Sequence, residues 1–440
     1  MTHLIEPHAA KPPPPEPPPL DRVRPGSRIG LIVLLALVAL GGLTRGWPLL
    51  VMIGSLVGII FMHELGHFLT AKVAGMKVTE FFIGFGPRIW SFRRGETEYG
   101  IKPIPLGAYV RIVGMNNLDE HDPADAERTY MSKPFRWRLL VVSAGSLMHF
   151  LMAGLALFVL FAFVGVPGGA LTSDAWAVAD TIERGTPAAE AGIEAGDRIL
   201  SVDGISTATF DDFGDVVRER PGETVPVVIE RDGDRRTLEV TLARENPRGE
   251  RVGFFGVGRG APPPETVGIG RAVGETVSGF GYAARETVSG LGRLLSPSGL
   301  GDLGSRVLNP DDAGPTVEER GSGGAERTSD GDGGDRVISI IGVTVLGSDI
   351  LEDGDASIFL LLFVVVNVFI GIFNMLPLLP LDGGHVAIAT YEKIRTMLRG
   401  GHRYQVDVAK LLPMTYAVVA VLVFLGLSTM YLDTRSIIGG

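Results

Sequence analysis

"GIIFMHELGHFLTAKVAG", residues 58–75, places two histidines and a glutamate at the end of a long apolar run. His63, Glu64 and His67 form the pattern His-Glu-x-x-His, which on a helix puts both imidazoles on one face, one turn apart. Two nitrogens at that spacing suit one zinc ion, and the glutamate can act as a base toward a water at the open coordination position. Because ionisable side chains inside a membrane span are costly, they mark a functional site by default.

Further apolar runs along the chain predict a polytopic α-helical membrane protein with about four to five transmembrane helices. The runs cover residues 29–43, 47–62, 139–166, 359–384 and 414–432. The first run is short for a span, so two interpretations stay open: a retained transmembrane helix, or the apolar core of a signal peptide.

Composition divides the rest of the chain into segments of different character. The alternating pattern at 76–115, broken by Gly and Pro, predicts β-hairpins or loops associated with the membrane. The predicted segments are a disordered Pro-rich tail at 1–27, an N-terminal membrane region at 28–166, an inserted β-rich domain at 175–260, an amphipathic membrane-surface segment at 261–318, a flexible acidic linker at 319–336 and a C-terminal membrane region at 358–432.

Composition also excludes several classes of site and partner. The chain of 440 residues contains no cysteine, so it has neither disulfides nor thiolate metal sites, and a metal would need His, Asp or Glu ligands. The formal net charge of −10 argues against a nucleic-acid partner, which would require a basic surface.

The distribution of Lys and Arg predicts the orientation in the membrane. Basic residues concentrate at 72–138 and at 393–410, whereas the long soluble region 167–358 is acidic. The positive-inside rule therefore places both basic segments on the cytoplasmic side and the soluble region outside. The His-Glu-x-x-His stretch then lies near the cytoplasmic end of its span.

A catalytic zinc takes three protein ligands and a water, so one ligand is missing from this stretch. The later run 359–384 also ends on the cytoplasmic side, and Asp382 stands there at a similar depth. Pro377 and Pro380 break the helix before it, which frees the carboxylate to turn toward the site. Asn374 can offer an amide to substrate backbone or to a developing oxyanion. Taken alone, Asp382 would be a helix-terminal cap; together with the two histidines it is expected to be the third ligand.

Residues 178–242 resemble a PDZ domain of the kind associated with proteases. The resemblance rests on Pro187-Ala188, on Ala191-Gly192 and on the run Gly196-Asp197-Arg198-Ile199. Domains of this kind bind extended peptides by adding a strand to a sheet edge. A β-rich spacer that binds nothing is the alternative.

The paired motifs resemble those of the site-2 protease family of intramembrane zinc metalloproteases. The first is His-Glu-x-x-His, and the second is Asn374-x-x-Pro377-x-x-x-x-Asp382-Gly383. The stretches Gly84–Pro87 and Lys102–Ile112, with the inserted PDZ-like domain, extend the resemblance over roughly residues 50 to 432.

This resemblance implies a multi-pass protein of the plasma or inner membrane with one Zn²⁺ per chain, held by His63, His67 and Asp382, and with Glu64 as the catalytic residue. It implies cleavage of single-pass membrane proteins, such as anti-sigma factors or signal-peptide remnants, in regulated intramembrane proteolysis. Asn374, Pro377 and Gly383 would support substrate or transition state. The 76–115 region would pair with the unwound substrate, and the extracytoplasmic PDZ domain would bind a peptide or substrate tail, or act as a size filter.

Two positions depart from the family pattern, which commonly has Ala-Gly-Pro-x-x-Asn in the span after the basic region. Here Ser146 stands in place of Pro and His149 in place of Asn. His149 could be satisfied by a neighbouring helix, could substitute as a hydrogen-bonding group, or could approach the metal. His385 is expected beside the metal ligands rather than among them.

Two other function classes fit the sequence less well than a protease. A catalytically silent PDZ scaffold is disfavoured because Glu64 is intact. A zinc transporter would show polar relays along several spans, whereas this sequence concentrates its ligands at one depth.

Overall fold

The computed structural model describes residues 46–308 and 339–438, with gaps at 116–121, 168–169, 172–175, 180–181, 183, 261, 263 and 403, and scattered positions between 32 and 43. The Pro-rich tail and the acidic linker lie outside the described residues, as does much of the first apolar run. The predictions for those segments therefore stay predictions.

Helices and strands follow one another in segments that alternate between apolar and mixed composition. In chain order they are α1 (Trp47–Val73), β1 (Val78–Phe85), β2 (Trp90–Arg94), β3 (Thr97–Ile101), β4 (Ile104–Ile112), α2 (Phe135–Val159), β5 (Val166–Pro167), β6 (Ala177–Val178), α3 (Pro187–Glu190), β7 (Arg198–Val202), β8 (Ile205–Ser206), α4 (Phe210–Arg218), β9 (Thr224–Arg231), β10 (Asp234–Thr241), β11 (Arg259–Gly260), β12 (Pro264–Glu265), α5 (Ile269–Leu294), α6 (Pro297–Leu308), α7 (Ile340–Glu352), α8 (Ala356–Asn374), α9 (Asp382–Leu398) and α10 (Leu412–Ile438).

Within the described part of the chain, four helical segments are long and apolar enough to cross a membrane. They are Trp47–Val73, Phe135–Val164, Ala356–Asn374 and Val408–Thr434. The second of them is α2 extended by one π-helical turn. These segments coincide with four of the five predicted spans, and they are what a polytopic helical membrane protein requires.

Helices α1 and α2 cross at close range because glycine lies at the crossing. A Cβ added to Gly66 would lie 2.6 Å from the backbone oxygen of Ala144, so only glycine lets the two backbones approach this far. Gly75, with φ of 67°, then ends α1, and the N–H of Met76 donates to the carbonyl oxygen of Ala71 at 2.9 Å. The crossing sets the histidines of α1 against α2.

The alternating stretch after α1 folds into a four-stranded sheet with the order β2-β3-β1-β4. Strands β2 and β3 form the expected hairpin, and β1 pairs with β4 in antiparallel fashion. Strand β1 also pairs with β3 in parallel, which no local pattern predicted. Phe61 and Phe68 of α1 pack edge-on against Phe81 of β1. The sheet is therefore fixed to the helix that carries His-Glu-x-x-His, and it leaves β4 as an edge strand.

The β-rich region predicted at 175–260 contains its own core and a sheet with the order β10-β9-β7-β8. Asp232 and Gly233, with φ of 53° and 83°, form the turn between β9 and β10, as the sequence Arg-Asp-Gly-Asp predicts. A capping box joins Thr209 and Asp212 at the start of α4.

Helix α5, with 26 residues, lies within the segment predicted to lie on the membrane surface. Ala272, Gly279 and Leu291 are buried, and the helix contacts α2 and α8. Ile269, Val273 and Val277 on the adjoining flank are exposed. The helix therefore packs on the bundle along one side, and its predicted position at the membrane surface stays a prediction.

Candidate metal centre

Three side chains converge between α1 and the start of α9. The Nε2 atoms of His63 and His67 lie 3.2 Å apart, and they lie 3.4 Å and 3.3 Å from Oδ2 of Asp382. In a tetrahedral zinc site with bonds of about 2.0–2.1 Å, ligand atoms are about 3.3–3.4 Å apart. The three atoms thus already form one face of such a tetrahedron, so the residues fit a zinc ion.

The orientation of His67 is set by a backbone carbonyl. Its Nδ1–H donates to the carbonyl oxygen of Val141 in α2 at 2.7 Å. That bond assigns the proton to Nδ1 and leaves the Nε2 lone pair directed at the other two ligand atoms. Val141 thus contributes to the site through its backbone carbonyl and not through its side chain.

Gly145 of α2 provides the surface against which both imidazoles lie. A Cβ at this position would lie 2.3 Å from Cε1 of His63 and 2.5 Å from Nε2 of His67. Real Cβ atoms essentially never show contacts under 3.0 Å, so a side chain here would displace both ligands. The sequence pattern does not predict this role for Gly145, although a glycine one turn before His149 is the signal that was available.

Asp382 reaches the site because the chain breaks between α8 and α9. Helix α8 ends at Asn374, and α9 begins at Asp382 itself, as the two prolines predict. Gly383 is buried against the turn, where an added Cβ would lie 2.2 Å from the backbone oxygen of Leu376. The close packing of this turn fixes the direction in which the Asp382 carboxylate points.

Glu64 lies on α1 between the two histidines and faces the sheet. Its carboxylate interacts with the backbone N–H of Val110 in β4. Since β4 is an edge strand, this N–H belongs to its free side. The candidate base is therefore held beside an unpaired strand edge.

Strand β4 is held in turn by a polar cluster outside the spans. The Tyr109 hydroxyl donates to Glu80 at 2.5 Å and accepts from Lys102 at 2.8 Å. Burial and the neighbouring Glu80 carboxylate raise the pKa of the Tyr109 hydroxyl, so it remains a donor at all physiological pH values.

The ligand side chains are largely shielded from solvent, with 12%, 8% and 15% of the His63, His67 and Asp382 side chains exposed. Full enclosure would be typical of a structural zinc site, whereas partial access leaves room for a water and a substrate. Three protein ligands with partial access fit the ligand number of a catalytic zinc site.

Comparison with known proteins agrees with this chemistry. The sequence profile described as peptidase family M50 matches residues 51–308 and 332–421, which is most of the chain. This chain belongs to peptidase family M50. The resemblance to the site-2 proteases is thereby confirmed, and the chain is a zinc metalloprotease.

Individual M50 relatives match over nearly their whole length. The zinc metalloprotease Rip1 of Mycobacterium tuberculosis (strain H37Rv) is 33% identical over 404 residues, which cover 85% of this chain and 94% of the relative. The Rip1 protein of Mycolicibacterium smegmatis is 34% identical, covering 82% and 91%. Among solved structures, the PDZ domain of the SdrC-like protein from Listeria monocytogenes matches 20% of this chain and 90% of its own, at 22% identity and a TM-score of 0.18.

The other predicted site residues of this M50 protease occupy different places around the metal centre. Asn374 is half-buried at the end of α8, and Pro377 is exposed in the turn. His385 lies one turn beyond Asp382, beside a small cavity that Tyr130, Arg138 and Glu392 also line. Among the described side chains, the group that could hold a metal contains His63, His67 and Asp382 and does not include His385.

His149 is fully buried, with 1% of its surface exposed, and its ring lies 4.9 Å from that of His63. Its Nδ1 lies 3.0 Å from Oδ1 of Asn367 in α8. The expectation that a neighbouring helix satisfies this histidine is confirmed for one nitrogen only. Asn367 itself was missed, because nothing local in the sequence ties it to a residue 218 positions away.

Proposed function

We propose that this M50 protease is an intramembrane endopeptidase that cleaves single-pass membrane proteins within or near their transmembrane segments. The observation that carries the proposal is the convergence of His63, His67 and Asp382 on one tetrahedral face inside a bundle of membrane-type helices. Anti-sigma factors and signal-peptide remnants are the substrate classes that the family resemblance suggests.

The depth of the site supports cleavage below the membrane surface. Glu64 lies 17 residues after Trp47 and nine before Val73, which at about 1.5 Å per residue is roughly 25 Å from one end of α1 and 14 Å from the other. The hydrocarbon core of a bilayer is about 30 Å thick. A spanning α1 would therefore hold Glu64 within the membrane, nearer the end that is followed by basic residues.

In the proposed reaction, Glu64 acts as general base and general acid. A zinc ion held by the three ligands would polarise the scissile carbonyl and make a bound water acidic at neutral pH. Glu64 takes a proton from the attacking water and transfers it to the leaving nitrogen. Asn374 offers its amide to the substrate backbone or to the developing oxyanion, and the Pro377–Gly383 turn supports that position.

Strand β4 is the proposed docking edge for the substrate. A transmembrane helix must unwind before its backbone can be cleaved, and an unwound segment can add to a free sheet edge by main-chain hydrogen bonds. Because Val110 presents its N–H to Glu64, a strand placed along β4 would bring its peptide bonds to the base. The sheet position next to α1 supports this role.

We place the protein in the plasma or inner membrane, with the metal centre toward the cytoplasm and the 175–260 region outside. The positive-inside distribution supports this orientation. The PDZ-like region then meets the outer part of a substrate before its transmembrane segment reaches the metal centre, either as a peptide-binding module or as a filter that excludes untrimmed proteins. Bilayer lipid is the remaining partner.

Substrate trapping with Glu64→Gln tests the proposal, because the amide keeps the shape of the carboxylate but cannot accept the proton. The variant and the wild type are expressed in matched membranes, and captured proteins are identified by mass spectrometry. The expected result is that single-pass proteins accumulate uncut with the variant and are cut inside their apolar segments by the wild type. Equal cleavage by both would exclude Glu64 as the base, and no cleavage by the wild type would instead indicate a silent scaffold.

A further inference from the structure

His149 lies one turn after Gly145 on the same face of α2, and so borders the metal centre. The His63 and His149 rings are 4.9 Å apart, which is close to the 4.8 Å between the His63 and His67 rings. His149 is thus a neighbour of the ligand His63 without belonging to the group of three that could hold the metal.

The hydrogen-bond network assigns the proton of His149. The side-chain Nδ2 of Asn367 donates to the carbonyl oxygen of Phe363 at 2.8 Å, so the Oδ1 of Asn367 is the atom that faces His149. An amide oxygen only accepts, so His149 carries its proton on Nδ1. This is the same arrangement as in His67, whose Nδ1–H donates to Val141.

The second nitrogen of His149 is consequently an acceptor without a donor. Its Nε2 is buried and makes no hydrogen bond within the described part of the chain. A buried acceptor that lacks a partner is costly, and such atoms in native structures call for an explanation such as an active-site role. Because His149 borders the candidate metal centre, its Nε2 atom can take part in the chemistry there.

Direct ligation does not fit the geometry. The ligand atoms of His63, His67 and Asp382 are already spaced as neighbours on a tetrahedron, and a fourth ligand would need the same spacing. Among the described residues, His149 is outside the group whose ligand atoms all lie within 4.8 Å of one another. One small molecule between the His149 ring and the metal position would use the lone pair that has no donor.

On the basis of the proposed function, we propose that His149 Nε2 accepts a hydrogen bond from the attacking water at the open position of the metal site. The water has two hydrogens. Glu64 takes one, and His149 holds the other, which directs the oxygen lone pair at the scissile carbonyl. Asn367 acts through His149, since it fixes the tautomer that makes Nε2 an acceptor.

Two substitutions of similar size distinguish a hydrogen-bonding role of His149 Nε2 from a role of the side chain in packing. His149→Asn places an amide where Nδ1 was, so it retains the contact with Asn367 but has no group at the Nε2 position. His149→Gln reaches further and can present its amide oxygen near the Nε2 position. Each variant is purified as the full chain and loaded with Co²⁺, whose visible absorption reports changes around the metal-bound solvent.

We expect all three proteins to bind one metal ion per chain. The Co²⁺ absorption should change in His149→Asn and return toward the wild-type spectrum in His149→Gln. With a single-pass reporter that the wild type cleaves, kcat should fall about 10–100-fold in His149→Asn with KM unchanged, and recover in His149→Gln.

A wild-type spectrum and kcat in His149→Asn would overturn the inference, as would loss of metal from both variants, which would make His149 a ligand or a packing residue. A wild type that cleaves no reporter would contradict the proposed function. The Co²⁺ spectra would still decide the role of His149 in that case, because they do not depend on turnover.

Discussion

Gly145→Ala adds one methyl group between the metal ligands and α2. The new Cβ would lie 2.3 Å from Cε1 of His63 and 2.5 Å from Nε2 of His67, whereas ordinary contacts begin at about 3.4 Å. Relief requires a shift of about 1 Å in atoms that must be placed within about 0.2 Å to bind zinc. Overpacking of this kind costs about 1–3 kcal/mol, which is a factor of about 5 to 150 in an equilibrium constant.

We therefore expect Gly145→Ala to weaken zinc binding about 10–100-fold, measured by competition with a chromophoric chelator on the purified full chain. The matched control is Gly154→Ala, in the same helix, where an added Cβ has no neighbour within 4 Å. Alanine is the better helix former by about 1 kcal/mol, so the control should be neutral or slightly stabilised. If Gly145→Ala binds zinc with wild-type affinity, the imidazoles of His63 and His67 do not need a glycine at this position and the reasoning is refuted.

Three further predictions concern the metal ligand Asp382, the packing of the membrane helices and the core of the 175–260 region. Asp382→Ala should lower bound zinc in metal analysis of purified protein; full occupancy would remove Asp382 from the ligand set. Arg138→Met breaks a buried ion pair with α9 and should cost about 3–5 kcal/mol in thermal unfolding, whereas Arg218→Met at an exposed pair should be nearly neutral. Ile229→Ala, at a fully buried site, should destabilise the 175–260 region by about 2–5 kcal/mol, measured by hydrogen exchange, and Ile205→Ala, half-exposed, by far less.

Local sequence patterns predicted the elements of this protein well because their causes are local. Apolar runs of sufficient length indicate spans, Asp-Gly between alternating runs indicates a hairpin, and prolines before Asp382 indicate a broken helix. The metal ligands could be paired across the chain because the positive-inside rule gave both motifs the same side and depth.

Contacts between distant segments could not be predicted in this way. The parallel pairing of β1 with β3 requires a crossover that no turn signal announces. The His149–Asn367 bond joins residues 218 positions apart, and the Arg138–Glu392 pair joins residues 254 positions apart. Gly145 carries no chemistry of its own, so its importance is visible only once the imidazoles are placed against it.

We propose that this protease cleaves peptide bonds with one zinc, held by His63, His67 and Asp382, and with Glu64 as the base. The decisive measurement compares wild type and Glu64→Gln, purified as full chains, for zinc per chain and for cleavage of the same single-pass reporter. We expect one zinc in each protein and cleavage by the wild type alone. Cleavage at the wild-type rate by a zinc-loaded Glu64→Gln variant would contradict the proposal.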